Sequence, residues 1–286
     1  MKKNKSIYVM LLILTVLPCF IGCESQKYIK VSAGGSHTVA LKEDGNVVTW
    51  GDNSFGQCDV PDDLSNVKAI SAGAWHTVAL KEGGNVVAWG CNIDRQCNLP
   101  DDYVIAVSAG RRHTVTLKED GTVVAWVDNM WNQCNVPDNL SNVKTISAGG
   151  YHTVALKETG EVVAWGNNDD GQCNVPDDLS NIMAVSAGLR HTVALKYTGE
   201  VVAWGYDYYG QCNVPEDLSN VIAVSAGSRH TVALKEDGTV VAWGDNWEGQ
   251  CNVPEDLNNV KTISAGGYHT VALKENGTVV AWGENV

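Results

Sequence analysis

Residues 143–181 read VKTISAGGYHTVALKETGEVVAWGNNDDGQCNVPDDLSN, and this unit occurs seven times along the chain in close copies. One histidine marks each copy: His37, His76, His113, His152, His191, His230 and His269. The intervals between these histidines are equal except the second, from His76 to His113, which is shorter by two positions. A fixed period of about 39 residues indicates a repeat architecture, because one such unit cannot bury its own apolar surface and must stack on its copies.

Each unit predicts three short strands. In the fourth unit the apolar, β-rich runs are residues 143–149, 152–157 and 161–165. Thr159-Gly160 separates the second run from the third, and most other copies have Asp-Gly or Asn-Gly there. Such pairs favour a hairpin, because the tight turn needs a positive φ. The segment that follows carries Pro176 and acids, and it predicts an outer return to the next unit that could include a short edge strand.

The third run is apolar on both faces, as Val162-Val163-Ala164-Trp165 illustrates. A sheet with one wet face would alternate more cleanly, so each small sheet is expected to be covered on both sides by its neighbours. Seven such sheets in a ring predict an all-β fold, a seven-bladed β-propeller. The alternative is a linear solenoid, which would need atypical polar caps at its ends. The first and last units are ordinary copies, which favours closure.

The segment 1–22 differs from the repeats. Lys2, Lys3 and Lys5 precede an apolar run over residues 7–21, which is short for a membrane span of about 20 residues and is typical of an export signal. Phe20-Ile21-Gly22-Cys23 is similar to the cleavage box of bacterial lipoproteins, which predicts lipidation of Cys23. The alternatives are an ordinary signal peptide and an uncleaved anchor. We therefore predict a lipoprotein signal at 1–22, a tether at 23–29 and the propeller at 30–286, anchored in the cell envelope.

The net negative charge of the chain limits the classes of partner that it can bind. Removal of the signal takes away three lysines and no acid, so the net charge falls from −13 to −16. Phosphate binding needs clustered Lys and Arg, so we expect no nucleic-acid partner.

The motifs A-G-x-x-H, L-K-x-x-G-x-V and W-G-x-x-x-x-G-Q, in that order, resemble the regulator-of-chromosome-condensation (RCC1-like) repeat family over about residues 30–286. In length, and in the V-V-A-W-G and N-V-P elements, the units are most similar to the bacterial β-lactamase inhibitory proteins of the second type. That resemblance implies a seven-bladed propeller that binds enzymes with one face. The family also includes a nucleotide exchange factor for a small GTPase, but no unit carries an insertion that could act as an exchange wedge.

The repeated His and Cys residues could suggest metal binding or catalysis. On a seven-fold ring of about 12 Å radius, equivalent atoms would lie about 10 Å apart, too far for a disulfide or a shared zinc ion. We therefore predict no catalytic residue, no metal and no cofactor, with each His fixing its turn by a hydrogen bond to backbone and each repeated Cys packing as a small apolar side chain. Cys91 lies outside the pattern, and a local disulfide with Cys97 is left open.

Two windows vary between the copies: the two residues before each His, and the loop after each W-G. All five arginines of the chain lie in these windows, with every Trp outside the scaffold. Arg, Trp and Tyr dominate binding hot spots. The predicted partner-binding residues are Phe55, Trp75, Arg95, Arg111, Arg112, Trp131, Tyr151, Arg190, Tyr206, Tyr208, Tyr209, Arg229, Trp247 and Tyr268.

In an antiparallel meander both windows lie at one end of the sheet and the uniform Lys-Glu-Asp-Gly turns at the other. The acidic return segments, such as Asp62-Asp63, should approach that other end. The sequence thus predicts one aromatic, Arg-rich face that binds a macromolecule, with side chains that only plug the central channel as the alternative.

The functional hypothesis is a monomeric, lipid-anchored, non-catalytic binding protein for a protein partner, with inhibition of an envelope enzyme as one specific form. The alternatives are carbohydrate binding, a guanine-nucleotide-exchange-like regulator by family analogy, an enzyme with a site formed across blades, and a spacer.

Overall fold

The computed structural model describes residues 27–98 and 103–284. The predicted signal at 1–22 and the lipidation residue Cys23 lie outside the described residues and stay predictions. In the described parts of the chain, the structure has no helix long and apolar enough to cross a bilayer.

Within residues 27–98 and 103–284, twenty-one strands form seven blades of three strands each, and we number these blades 1 to 7 along the chain. The first strands are β1 (Tyr28–Ala33), β4 (Val67–Ala72), β7 (Ala106–Ala109), β10 (Val143–Ala148), β13 (Ile182–Ala187), β16 (Val221–Ala226) and β19 (Val260–Ala265). The second strands are β2 (His37–Lys42), β5 (His76–Lys81), β8 (His113–Leu117), β11 (His152–Lys157), β14 (His191–Lys196), β17 (His230–Lys235) and β20 (His269–Lys274). The third strands are β3 (Val47–Gly51), β6 (Val86–Gly90), β9 (Val123–Val127), β12 (Val162–Gly166), β15 (Val201–Gly205), β18 (Val240–Gly244) and β21 (Val279–Gly283).

Each blade is an antiparallel meander. In blade 4, Ala148 pairs with Thr153, and His152 pairs with Gly166. The three predicted strands are confirmed, but no fourth strand joins these sheets within residues 27–98 and 103–284. The return segment instead forms successive tight turns, in which the Val175 N–H donates to the Cys173 carbonyl and the Leu179 N–H to that of Pro176. At the start of the domain, Tyr28 pairs with Lys42, so Tyr28 and Ile29 belong to β1.

The hairpin turns show why glycine is needed in them. In blade 1 the Gly45 N–H donates to the Lys42 carbonyl at 3.0 Å, and the Lys42 N–H donates to the Asn46 carbonyl at 2.9 Å. Gly45 has a φ of 83°. Residues 43–45 therefore form a three-residue loop, a tight turn closed by a glycine in the left-handed region, where a side chain would cost energy.

The hydrophobic core lies between blades. Val154 and Leu156 of blade 4 pack with Ile182, Ala194 and Trp204 of blade 5, and equivalent clusters occur at other seams. Each sheet is thus covered on both faces, as expected from its apolar pattern. A single unit would leave these apolar faces exposed to water.

Hydrogen bonds between the first strands show that the ring is closed. The Ala72 N–H of blade 2 donates to the Ser32 hydroxyl of blade 1 at 2.9 Å. The same bond occurs at every seam, including that between the last and first blades, where the Ala33 N–H donates to the Ser264 hydroxyl at 2.9 Å. The solenoid alternative is excluded, because a linear stack would leave these terminal groups apart.

The seven histidines form a second closed ring, and here the predicted partner was wrong. The His37 imidazole Nε2 lies 3.0 Å from the Thr77 hydroxyl of the next blade rather than bonding to backbone. The Thr77 hydroxyl donates to the Gln57 carbonyl at 2.9 Å, so its oxygen accepts a hydrogen bond from the imidazole Nε2–H. Burial lowers the pKa of each of the seven histidines to about 3 or 4. The imidazoles are therefore neutral scaffold groups at physiological pH.

Candidate functional site

Both variable windows leave the same end of each sheet. In blade 3, Ala109 pairs with Thr114 and His113 pairs with Val127, so loops 110–112 and 128–132 start from one edge. Arg111 and Trp131 consequently lie on the same side of the ring. We name the end that carries both windows the variable face, and the end that carries the hairpins, such as residues 43–45, the hairpin face.

The return segments run from the variable face to the hairpin face. Asn66, which immediately precedes β4, accepts a hydrogen bond from the Glu82 N–H in the hairpin turn of its own blade. Its equivalents Asn142, Asn181, Asn220 and Asn259 make the same bond to the hairpin residue of their blades. Asp62 and Asp63, within the first of these segments, are exposed.

Backbone bonds between neighbouring blades hold the first window. The Gly150 N–H donates to the Gly188 carbonyl at 3.0 Å, and corresponding bonds run around the ring to Gly267 and Gly34 at 2.8 Å. A Cβ at Gly149 would lie 2.5 Å from the Gly188 carbonyl oxygen, so only glycine fits this close approach. These loops surround a central funnel of about 360 Å³.

Polar side chains that are nearly the same in each blade hold the second window. In blade 4 the Asn168 side-chain oxygen accepts the Cys173 N–H at 2.9 Å, and its amide donates to Asn174 at 2.7 Å. The buried Gln172 accepts the Asp170 N–H at 3.0 Å. The loop is thus held through backbone contacts at position 170, so the side chain there can change from blade to blade without loss of the loop.

Five side chains from blades 2 to 5 form an alternating stack of guanidinium groups and aromatic rings on the variable face. The Arg112 and Arg111 guanidinium carbons lie 5.3 Å and 5.0 Å from the Trp75 ring centre. The Arg111 guanidinium also lies 5.2 Å from the Tyr151 ring centre, and the Arg190 guanidinium lies 5.7 Å from that same ring. Cation–π contacts of this kind hold the guanidinium groups in place.

Two further aromatic groups adjoin the stack. The Phe55 ring lies 6.2 Å from that of Trp75. Tyr206, Tyr208 and Tyr209 form a cluster with ring centres 5.0–6.4 Å apart, and the Arg229 guanidinium lies 4.9 Å from the Tyr209 ring. These contacts join second-window residues to first-window residues of the following blade.

Ten of the fourteen predicted binding residues thus contact one another. Within the described residues, the exceptions are Arg95, Trp131, Trp247 and Tyr268, which make no ring or cation–π contact. Trp247 is 88% exposed and Tyr208 is 79% exposed. Ile93 and Met130 are also exposed in second windows. They are absent from the predicted set, although their place in a variable window was a usable signal.

Three arginines have carboxylate partners. Arg190 lies 3.3 Å from Asp170, Arg112 lies 3.9 Å from Asp94, and Arg229 lies 4.0 Å from Asp245. Arg111 has no hydrogen bond or ion pair from its side chain within residues 27–98 and 103–284. Burial, followed by repulsion from Arg112, lowers the pKa of Arg111.

Blade 3 departs from the scaffold beside this stack. Val127 occupies the position that is glycine in every other blade, and it has a φ of 102°. The Asp128 N–H lies 3.5 Å from the Arg112 carbonyl, whereas the equivalent bonds in other blades are 2.8–3.0 Å. The Trp126 indole N–H has no partner among the described residues, while the equivalent Trp165 donates to the Gln133 carbonyl. The loops of blade 3 are therefore held in a strained backbone.

The described cysteines are free thiols, and burial raises the pKa of several of them. Cys91 and Cys97, whose pairing the sequence left open, are both free in the structure, and the Cys97 thiol points to the Cys91 carbonyl at 3.5 Å. Burial raises the pKa of Cys134, Cys173, Cys212 and Cys251 to about 12. Among the residues that the structure describes, no three His, Cys, Asp or Glu side chains converge to hold a metal ion.

Comparisons with known proteins agree with this architecture. A family described as RCC1-like domain matches residues 14–251, and the Regulator of chromosome condensation (RCC1) repeat matches residues 260–286. The X-linked retinitis pigmentosa GTPase regulator homolog of Caenorhabditis elegans is 53% identical over 34 residues, which is 12% of this chain and 2% of that relative's length.

Two solved structures illustrate the shared fold. Prp20p from Saccharomyces cerevisiae has a TM-score of 0.72 at 22% identity, covering 86% of this chain and 82% of that one. The CRINKLY WD40 ectodomain of the receptor kinase ACR4 from Arabidopsis thaliana has a TM-score of 0.73 at 22% identity, covering 90% and 98%. At this identity the likeness extends to the fold alone.

Proposed function

The chain belongs to the RCC1-like domain family, and from that premise we propose that it is a non-catalytic binding protein that engages a protein partner through its variable face. The observation that carries the proposal is the concentration of hot-spot residue types on one face of a uniform ring. All five arginines and every non-scaffold Trp lie there. The hairpin turns at the opposite end of the ring repeat almost without change. Rigid aromatic and Arg side chains bring large contact area at a small entropy cost.

Protein binding also has support from the solved relatives. Prp20p has binding properties toward Gsp1p and histones, and a second structure contains Kap60 bound to that protein. These partners belong to those proteins. They support the general proposal that an RCC1-like ring serves as a platform for another macromolecule.

The finer proposal is export and lipid anchoring through Cys23. Its support is the order of basic, apolar and small residues over positions 1–23. The Glu43 N–H donates to the Lys27 carbonyl, so the described chain begins at the hairpin face. A tether there would direct the variable face away from the membrane. A Cys23→Ala change should abolish incorporation of labelled lipid and release the protein from membranes; persistence of both would reject the anchor.

Inhibition of an envelope enzyme is the specific form of protein binding that we propose. The wild-type chain should be immobilised beside a Trp75→Ala/Trp247→Ala variant and a hairpin-face control, Glu43→Ala/Glu158→Ala, and exposed to envelope extract and a panel of β-lactamases. We expect wild type and control to retain the same partner and the variable-face variant to lose it. Equal retention by all three, with equal thermal stability, would reject the proposal.

Carbohydrate binding is the second candidate, and the exposure of Trp247 and Tyr208 favours it. Flat aromatic surfaces of this kind can stack on sugar rings. This function predicts retention on a polysaccharide column that is insensitive to salt and is lost on a Trp247→Ala change. Without such retention this candidate fails.

A further inference from the structure

A second cavity lies beside the central funnel on the variable face. It has a volume of about 320 Å³, and Arg111, Arg190 and Arg229 line it together with Tyr151, Tyr206 and Leu189. Among the described residues, no acidic side chain lines this cavity. Three of the five arginines of an acidic chain therefore converge on one small space.

Arg111 is the unsatisfied member of this group. Its guanidinium lies between the Trp75 and Tyr151 rings, at 5.0 Å and 5.2 Å, and within the described chain it has neither an ion pair nor a hydrogen bond. Two aromatic faces thus hold the group without using its N–H donors. A guanidinium fixed in this way presents a rigid fork that matches a carboxylate in a bidentate geometry.

Electrostatics at the cavity point in the same direction. Asp170 and Asp245 partly neutralise Arg190 and Arg229 from outside the cavity. Arg112 and Arg190 repel Arg111, and Tyr268 and Asp128 offset part of this repulsion. The positive charge of Arg111 is retained at neutral pH, because arginine does not lose its proton in proteins. An anion in the cavity would relieve this repulsion.

We propose that Arg111, flanked by Arg190 and Arg229, is a receptor for the carboxylate of a glutamate or aspartate side chain on the partner protein. The inference deepens the proposed function and rests on it. Charge complementarity selects the occupant, because three arginines line the cavity. The rest of this acidic chain repels an acidic partner, so the cavity gives such a partner one point of attachment and a fixed register. The surrounding aromatic side chains provide the contact area expected around a buried charge pair.

The small number of arginines makes the receptor directly observable. The full chain, labelled with ¹⁵N-arginine and kept in detergent, should give five side-chain Nε–H signals, which single Arg→Lys changes would assign. The probe is acetyl-GEGEG-amide, and its matched control is acetyl-GQGQG-amide. We expect the glutamate peptide to shift the signals of Arg111, Arg190 and Arg229 but not that of Arg95, which lies outside the cavity. An unchanged Arg111 signal at saturating peptide would overturn the receptor.

Variants separate charge from geometry. Arg111→Ala should weaken binding of the glutamate peptide at least tenfold, and Arg111→Lys should give an intermediate loss, because an ammonium keeps the charge without the planar fork. Lys261→Gln, which removes one exposed positive charge near the start of β19 and away from the cavity, is the matched control and should leave the affinity unchanged. Equal affinity in wild type and Arg111→Ala would contradict the proposal.

Two further arms identify the source of the anion. Citrate and inorganic phosphate should bind more weakly than the glutamate peptide; tighter binding of either would replace the partner side chain with a free anion. Failure of the peptide while capture still depends on Trp75 and Trp247 would reject the receptor alone. Peptide binding with capture that ignores those residues would reject the proposed function alone.

Discussion

The imidazole Nε2 of His269, in the last blade, lies 2.9 Å from the hydroxyl of Thr38, in the first. The same bond joins each of the other six pairs of adjacent blades at 3.0–3.1 Å. The repeated histidine could suggest catalysis when only the sequence is considered. In the structure, each histidine is one link of a closed ring of side-chain hydrogen bonds. Burial disfavours the charged form of each imidazole, so protonation of a linking histidine works against the folded ring.

Acid should destabilise the ring within a defined pH window. The folded pKa of each histidine is about 3 or 4, below its usual value of 6.5. The unfolded chain therefore binds more protons in this window, and stability is fully present above pH 6.5 and lost as pH falls toward 4. Each site contributes about 1.4 kcal/mol per pH unit at most. Urea unfolding at pH 7.5, 6 and 5 should show a steep fall.

Three aspartates whose pKa values are lowered would cause a loss of stability in a different, lower pH range. The pKa values of Asp52, Asp120 and Asp237 are lowered from 3.8, chiefly by hydrogen bonds to Ser54, Thr122 and Thr239. Their contribution is lost only below that pH, because a depressed carboxylate pKa stabilises the fold at higher pH. A flat stability profile between pH 6.5 and 5 would refute the account of the histidines.

Within the described residues, the Thr38 side chain makes one hydrogen bond fewer than the Thr192 side chain. Thr192 accepts from His152 and also donates to the Gln172 carbonyl, whereas Thr38, among the described residues, bonds through its side chain only to His269. Thr38→Val should cost about 1–3 kcal/mol and Thr192→Val about 1 kcal/mol more, measured by urea unfolding. The exposed Thr198→Val is the control and should be near neutral. A larger loss for Thr38→Val than for Thr192→Val would contradict this reading.

Replacement of Val127 by glycine should stabilise the protein. The positive φ costs a β-branched residue about 1–3 kcal/mol, and glycine would remove this cost. Glycine also makes the unfolded chain more flexible, which lowers the free energy of unfolding by about 0.5–1 kcal/mol. We expect a net gain of about 1 kcal/mol from these two effects. The reverse change in blade 4, Gly166→Val, should destabilise, because a Cβ would lie 2.7 Å from the Tyr151 carbonyl oxygen. A less stable Val127→Gly protein in urea unfolding would show that the strain is not relieved in this way.

The repeated thiols should resist alkylation. Burial raises the pKa of Cys173, Cys212 and Cys251 to about 12, so little thiolate exists at pH 8, and the thiolate is the nucleophile. Mass spectrometry should find these residues unmodified after iodoacetamide treatment of the folded protein and fully modified in urea. Rapid labelling in the folded state would contradict the burial.

The repeat pattern carried most of the fold, because its period, its paired apolar runs and its Asp-Gly turns are local properties. The hydrogen-bond partner of each histidine could not be predicted in this way. Thr77 lies in the blade after that of His37, and nothing near either residue distinguishes a side-chain partner in the next blade from a backbone partner in its own. That choice depends on the distance between blades.

The candidate site was predictable in membership but not in arrangement. Variation on a constant scaffold identifies Trp75, Arg111 and Tyr151, and strand parity places them at one end of the ring. Their alternating stack with Arg112 and Arg190 depends on side-chain packing across four blades, which no local pattern encodes. The strain at Val127 had a visible signal, since every other copy has glycine there.

Docking at the variable face can be measured as the affinity of the captured partner for single variants of the chain. Surface plasmon resonance should compare wild type with Trp75→Ala, Trp247→Ala and the hairpin-face variant Glu158→Ala. We expect at least tenfold weaker binding, about 1.4 kcal/mol, for Trp75→Ala or Trp247→Ala and no change for Glu158→Ala. Unchanged affinity for both Trp variants, or loss on Glu158→Ala alone, would contradict docking at the variable face.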